Sequence, residues 1–423
     1  MLIRDAEVAG RGRVDVRVEG GRVVEIGRGL AGPVDVDGRG GALLPGLHDH
    51  HVHLAALAAE AASVRVGPAD VLGRAGFAAA LRGGDPGEWV RAVGYHESVA
   101  GELDRWALDA VAPDRPVRVQ HRSGAMWFLN SAALHATGLD PDEGEDGHRD
   151  GRIWREDERL RHLVPPVRLD LEGVGRRAAR LGVTGFTNAD PHPGPGLAQT
   201  LSVLPQRLLV MGVDPPTKIM LDDPTLPTPT ELAATVAQLR PRPVAVHCVT
   251  RVQLLVTLLA LDEAGPVAGD RIEHAAVVPA ETVDWIRRLG VTVVTQPHFP
   301  VERAHAYATD VDPDDRPHLY RCRSLAEAGV PVAAGTDAPY GAHDPWAVMR
   351  AAVQRADGEA VPPGTALRMF LGRPEQPSVI RTLEPGAAAD LCLLHTPLRE
   401  ALDALSADVV RAAYVGGRVL HRQ

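Results

Sequence analysis

Forty-five residues of this 423-residue chain are basic, and Lys218 is the only lysine among them. Arginine holds its proton under all protein conditions, whereas a lysine in a desolvated pocket can lose its proton and become a nucleophile. Lys218 therefore marks a position where a neutral amine is useful, unless it is a surface survivor of an arginine-rich composition. Asp49, His51 and His53 alternate along one strand-like segment, so all three side chains fall on one face and two imidazoles converge. Four later strand-like segments supply Lys218, His247, His274 and Asp337, one each. A lone strand histidine is ordinarily a satisfied polar group. His-x-His followed by Lys, His, His and Asp on successive strands is hard to produce by chance within a barrel pattern and makes a joint metal-binding role the stronger reading.

Those residues need a scaffold that brings successive strand ends together. The apolar runs 41–54, 182–190, 207–212, 217–222, 244–249, 271–278, 291–297 and 330–339 alternate with helix-length segments, the pattern of an α/β fold. Eight such strands suit a (β/α)8 TIM-type barrel, distorted at one joint. Only four residues separate 207–212 from 217–222, too few for a parallel crossover. Either those two form a hairpin and VRVQH (117–121) supplies a barrel strand, or the barrel is locally degenerate. Residues 1–44 and 383–423 carry short strands with Gly20-Gly21 and Gly416-Gly417 hairpin signals. Each end alone is too small to bury a core, so the two are expected to pair as one discontinuous β-sandwich around a barrel spanning 45–382. Residues 55–170 exceed one barrel loop and contain an insertion expected over the barrel mouth.

Composition narrows the partners. The chain is 45% hydrophobic and 24% charged with a net charge of -10, and it has no basic run interleaved with aromatics, so nucleic acid is not expected. No stretch reaches the length of a membrane span, and the first twenty residues lack the apolar region of a signal peptide. Cys248, Cys322 and Cys392 are too dispersed for a disulfide framework or a Cys-x-x-Cys site, which fits free thiols in a reducing cytoplasm. The expected partner is a small molecule. A homo-oligomer is compatible with the sequence, which does not fix the assembly.

PGLHDHHVHL near the start, HRSGAMWFLNSAAL at 121–134, RIEHAAVV, TQPHFP, AGTDAPYGAHDP and LEPGAAADLCLL together resemble the amidohydrolase superfamily, and within it amidohydrolase family 3, the branch with N-substituted formamide deformylases. The resemblance covers nearly the whole chain. It implies that His51, His53, Lys218, His247, His274 and Asp337 hold one or two divalent metals, with Lys218 carboxylated by CO2. A carbamate forms only on neutral lysine and gives the anion that two cations about 3.5–4 Å apart need to share. Zinc is the default for this donor set, which manganese, iron or nickel would also accept. The metal lowers the pKa of a bound water toward neutrality, and Asp337 serves as general base and then as proton donor to the leaving amine. His274 either binds the second metal or polarises the carbonyl. Two departures stand out. Ala125 occupies the place where the family usually carries histidine, and His247 is followed by Cys-Val-Thr-Arg rather than a small residue and Gly-Asp, both of which imply different substrate recognition.

His121, Arg122, Trp127, His298 and Tyr340 are candidates for lining the substrate pocket. His48 and His50 lie out of phase with His51 and His53 and are expected to be structural, like Cys248; Asp222 suits a turn cap, and His343 and Asp344 suit ordering of a loop. The favoured function is a metal-dependent hydrolase of a non-peptide, amide-type C–N bond. One rival is a mononuclear deaminase of a cyclic amidine, which needs a glutamate shortly after a ligand histidine; neither HCVTRVQ nor HAAVVPA offers one. The other is an inactive metal-bound scaffold, which would have little need of Lys218.

Overall fold

The computed structural model describes residues 1–83, 88–139, 149–190, 193–194 and 196–423. The chain folds as two compact units, Met1–Leu54 with Leu171–Gln423, and Ala55–Asp170.

The first unit is an α/β fold with eight parallel strands: β1 (Leu47–Val52), β2 (Val183–Asn188), β3 (Arg207–Val210), β4 (Thr217–Ile219), β5 (Val244–Cys248), β6 (Arg271–His274), β7 (Thr292–Thr295) and β8 (Val332–Ala334). Each lies inside one of the eight segments expected from the sequence. They form two sheets, in the orders β3-β2-β1 and β4-β5-β6-β7-β8. Backbone bonds run from the end of β8 to β1: Asp337 N donates to His51 O at 2.8 Å, and His53 N to Ala338 O at 2.9 Å. β1, β2, β6 and β7 are buried along their whole length, as strands covered on both faces are. Helix Arg251–Ala264 starts where the Thr250 hydroxyl accepts from Gln253 N, and helix Pro229–Leu239 starts in a Thr228/Glu231 capping box. Leu232, Val236, Leu254, Leu258 and Leu261 from these helices pack with Val244, Val246 and Ile272. Each such leucine contributes about 1.5–3 kcal/mol by leaving water.

Of the two alternatives open at the cramped joint, the structure excludes the hairpin with VRVQH as a barrel strand. β3 pairs with β2 (Arg207 with Gly185) and β4 with β5 (Thr217 with Val244), both parallel, so they make no hairpin. Residues 211–216 close the link as a turn, with Gly212 N donating to Pro216 O at 2.9 Å and Gly212 at φ 89°. Nor does Val117–His121 join these strands; it is an inner strand of the second unit's sheet, paired with Val90–Tyr95 and Met126–Leu129. β3 and β4 do not pair with each other, so the short link between them needs no crossover.

The chain ends form two four-stranded sheets. One orders Arg22–Gly27, Gly12–Glu19, Leu2–Val8 and Val36–Asp37; the other orders Arg418–Arg422, Val410–Val415, Leu391–Leu394 and Leu43–Pro45. Ile3, Val16, Val18 and Val23 from the first share a core with Leu391, Leu393 and Tyr414 from the second. Gly416 and Gly417, at φ 54° and 74°, turn the two-residue hairpin that their sequence signalled. Segment 41–54, expected as one strand, is two. Leu43–Pro45 pairs with Leu391–Leu394, and the chain switches sheets at Gly46, where a Cβ would sit 2.1 Å from Thr184 Cγ2.

The second unit carries a five-stranded sheet ordered Arg152–Trp154, Met126–Leu129, Val117–His121, Val90–Tyr95 and Val64–Arg65. Phe77, Leu81, Leu108 and Tyr95 form the core of one face. No helix among the described residues is long and apolar enough to cross a membrane.

Candidate metal centre

Alternation along β1 points His51 and, one residue past its end, His53 the same way, toward the end of β8. There Asp337 adopts φ 53°, and at the end of β6 His274 adopts φ 68°. Both are left-handed conformations that cost a non-glycine residue roughly 1–2 kcal/mol. His53 Nε2 lies 3.3 Å and His51 Nε2 3.5 Å from Asp337 Oδ1, and one donor atom from each of the three residues falls within 4.8 Å of the others. The His274 ring is 4.7 Å from that of His51 and 4.5 Å from that of His247. Lys218 is buried, and its ammonium donates to Ala189 O at 2.5 Å.

The far nitrogens of His51, His53 and His274 are occupied. His51 Nδ1 contacts Glu273 Oε2, His53 Nδ1 contacts Asp190 Oδ1 at 2.9 Å, and His274 Nδ1 contacts Gln296 Oε1 at 2.9 Å. These oxygens only accept, so each Nδ1 carries the proton and each Nε2 keeps its lone pair, as in metal-binding histidines. His51 Nε2 and Asp337 Oδ1 are buried and make no hydrogen bond. Orphaned buried polar atoms are costly, and two of them aimed at a common point beside His53 fit a divalent cation.

Electrostatics agree. Burial holds His51 well below the usual imidazole value and lowers His274, so both rings are neutral donors. Burial also lowers Lys218 against the pull of Glu273, Asp337 and Asp190, which favours the free amine. For Asp337, burial pushes upward, but the His53 ring 3.3 Å away and the neighbouring His51 and His274 imidazoles outweigh it and hold the carboxyl below its usual value. His53 is raised: burial lowers it, and Asp190 and Asp337 more than reverse this, so a cation here competes with a proton.

The sequence model of the amidohydrolase family matches residues 36–162 and 210–421. This chain belongs to the amidohydrolase family. It is 34% identical over 140 residues, 29% of its own length, to N-substituted formamide deformylase from Arthrobacter pascens, and the match spans only 26% of that enzyme. An uncharacterized metal-dependent hydrolase from Pyrococcus horikoshii superimposes with a TM-score of 0.71 at 21% identity, covering 99% of this chain and 98% of the other. One from Pyrococcus furiosus gives 0.68 at 20% identity, covering 92% and 96%. A variant of atrazine chlorohydrolase from Arthrobacter aurescens, solved with zinc and atraton, gives 0.56 at 15% identity, covering 100% and 95%. At these identities the likeness is one of fold.

The other residues of this amidohydrolase that the sequence singled out have varied surroundings. Asp49 shares the face of His51, but its carboxylate accepts from Thr336 N (3.0 Å), Thr336 Oγ1 (2.5 Å) and His51 N (3.2 Å), stitching β1 to the end of β8. His48 Nε2 lies 2.9 Å from Thr187 Oγ1, and His50 is wholly buried. Tyr340 stands edge-on to His53, with ring centroids 5.2 Å apart. His298 is buried before helix Phe299–Glu302, and a Cβ on Gly341 would come 2.4 Å from its Nε2. His121, Arg122 and Trp127 belong to the second unit. There His121 Nε2 pairs with Glu97 at 3.3 Å, Arg122 N donates to Tyr95 O at 2.8 Å, and the buried Trp127 gives its Nε1–H to Asp157 at 2.8 Å. Asp344 caps helix Pro345–Val353 through Trp346 N. Asp222 precedes the turn Asp223–Thr225. Cys248 is a core thiol pushed up to about 12 by burial.

Sequence reading missed Asp190, Glu273 and Gln296, the acceptors behind the imidazoles. Their signal is slight: each is a polar residue at or just past the C-terminal end of a buried strand. Glu273 is also the only acid in RIEHAAVV. It precedes His274 and faces His51 Nδ1, so it cannot fill the deaminase role of a glutamate beyond the ligand.

Proposed function

We propose that this chain is a metal-dependent hydrolase that cleaves a non-peptide, amide-type C–N bond in a small molecule. The reading rests on the convergence of His53 with the buried, unbonded His51 Nε2 and Asp337 Oδ1. His51, His53, His247, His274 and Asp337 would hold one or two divalent cations, zinc by donor type, with Lys218 as a carbamate between them. Neutral Lys218 would attack CO2, an N–C bond forming as one C=O π bond opens to the carboxylate and the amine proton passes to water; burial of the only lysine favours the neutral amine. We take the eight strands as a closed barrel and the terminal sheets as a sandwich, which agrees with the backbone bonds between β8 and β1 and with the shared apolar core.

Bound metal would lower the pKa of water and polarise the carbonyl. The ionised Asp337 takes a proton from the attacking water, a C–O bond forms, and the same proton passes to the nitrogen as the C–N bond breaks. Tyr340, edge-on to His53, and His298 are the residues we expect to contact substrate, with N-substituted formamides the first compounds to try. The test is elemental mass spectrometry of protein grown with zinc and bicarbonate, beside Lys218→Ala. Two metals falling to one or none on loss of Lys218, and a single carbonyl resonance from 13C-bicarbonate, are expected. A wild-type protein that holds no metal would require withdrawal of the hydrolase reading.

A further inference from the structure

Arg271 and Glu273, outside the ligand set, are a fully buried pair of opposite charges, 1% and 0% exposed. Desolvating two ions costs several kcal/mol each, and an apolar pair of similar volume is often no less stable. Such a pair is better explained by a task than by stability. Its geometry divides the carboxylate between two partners: Oε1 lies 2.6 Å from Arg271 Nε, while Oε2 faces His51 Nδ1. The same guanidinium donates through Nη2 to His50 O at 3.3 Å. β1 and β6 belong to different sheets, so the pair reaches from one sheet to the other and grips two successive residues of the first strand, one by its backbone and one by its ring.

We propose that Glu273 is the positioning residue for His51 and Arg271 its dedicated counter-charge, together locking the His51 ring and its Nδ1–H tautomer so that Nε2 is held as a metal donor. The inference rests on the reading that His51 holds a metal. It follows from the polarity of the contacts. Both partners of Glu273 are N–H groups: Oε1 makes a close ion pair with Arg271 without an aligned hydrogen bond, and Oε2 meets His51 Nδ1, so a carboxylate suits both and a neutral amide does not. In Glu273→Gln the amide must turn its NH2 toward one of them. If it faces Arg271, a buried cation loses its counter-charge. If it faces His51, the ring must accept at Nδ1 and carry its proton on Nε2, where the lone pair is needed. Gln296 shows the contrast, since a neutral amide suffices behind His274, where a single donor has to be met.

The experiment compares wild type and Glu273→Gln by zinc affinity in chelator competition, with urea denaturation of both metal-free proteins, and reads the His51 tautomer in metal-free wild type from 15N-histidine NMR, assigned by loss of the signal in His51→Gln. Expected are an Nδ1–H tautomer in wild type and a 10–100-fold weaker zinc affinity in the variant, the usual consequence of losing such a partner. A variant that folds and binds zinc as wild type does overturns the proposal, as does one that is less stable yet keeps its affinity, because the pair is then structural only. If Glu273→Gln does not fold, the wild-type tautomer decides, and an Nε2–H ring overturns the proposal. A wild type without zinc affinity removes the metal reading, while the tautomer still tests whether Glu273 sets the ring.

Discussion

Gly335→Ala should damage the candidate centre without touching a donor atom. A Cβ built on Gly335 would lie 2.5 Å from both Cβ and N of His51 and 2.8 Å from its Cα. These are main-chain atoms or the atom next to them, so no side-chain rotation relieves the clash. Reaching an ordinary contact of 3.4 Å requires the end of β8 to withdraw from β1 by about 0.9 Å. Overpacking of this kind costs about 1–3 kcal/mol. Two residues on, Asp337 is tied to the same strand by its N–H to His51 O at 2.8 Å, and its carboxylate sits 3.3–3.5 Å from the two imidazoles. Metal coordination tolerates errors of only about 0.2 Å. The expected outcome is a loss of about 2 kcal/mol in urea denaturation of the metal-free protein, with at least a tenfold loss of zinc affinity in chelator competition. Wild-type stability would refute the steric argument. Lowered stability with intact affinity would refute the claim that β8 carries Asp337 rigidly against β1.

Gly76→Ala, in helix Gly73–Arg82, is the opposite case: the new methyl meets Val71 at an ordinary 3.6 Å, so a gain of about 0.5–1 kcal/mol is expected in the same denaturation assay. Burial lowers His298 to about 3, below its unfolded value of about 6.5. Its neutral form is therefore the one folding favours, and the contribution is complete above pH 6.5 and lost as pH falls toward 3, by roughly 4–5 kcal/mol in all. His298→Gln should flatten that part of the acid-denaturation curve, and an unchanged curve would contradict the burial argument. Asp49→Ala strands two buried donors of Thr336 and should cost about 3 kcal/mol in metal-free protein, with Asp49→Asn losing less.

What sequence settled here is what local rules settle. Period-2 alternation placed His51 and His53 on one face, because side-chain direction in a strand depends only on position parity. Apolar runs bounded by helix-length segments located all eight parallel strands, and the paired glycines 416 and 417 located a hairpin that only positive φ can turn. Composition isolated Lys218 before any fold was considered. The tertiary structure decided what depends on partners distant in sequence. That β3 and β4 avoid a hairpin follows from each finding its neighbour on the outer side, 22 residues away for Arg207–Gly185 and 27 for Thr217–Val244. The role of Asp49, indistinguishable by parity from its neighbours, was fixed by Thr336, 287 residues later. Glu273 lies 222 residues from the ring it faces. No spacing rule reaches that far: a buried acid beside a ligand histidine reads the same in sequence whichever way it points, and only packing assigns its partner.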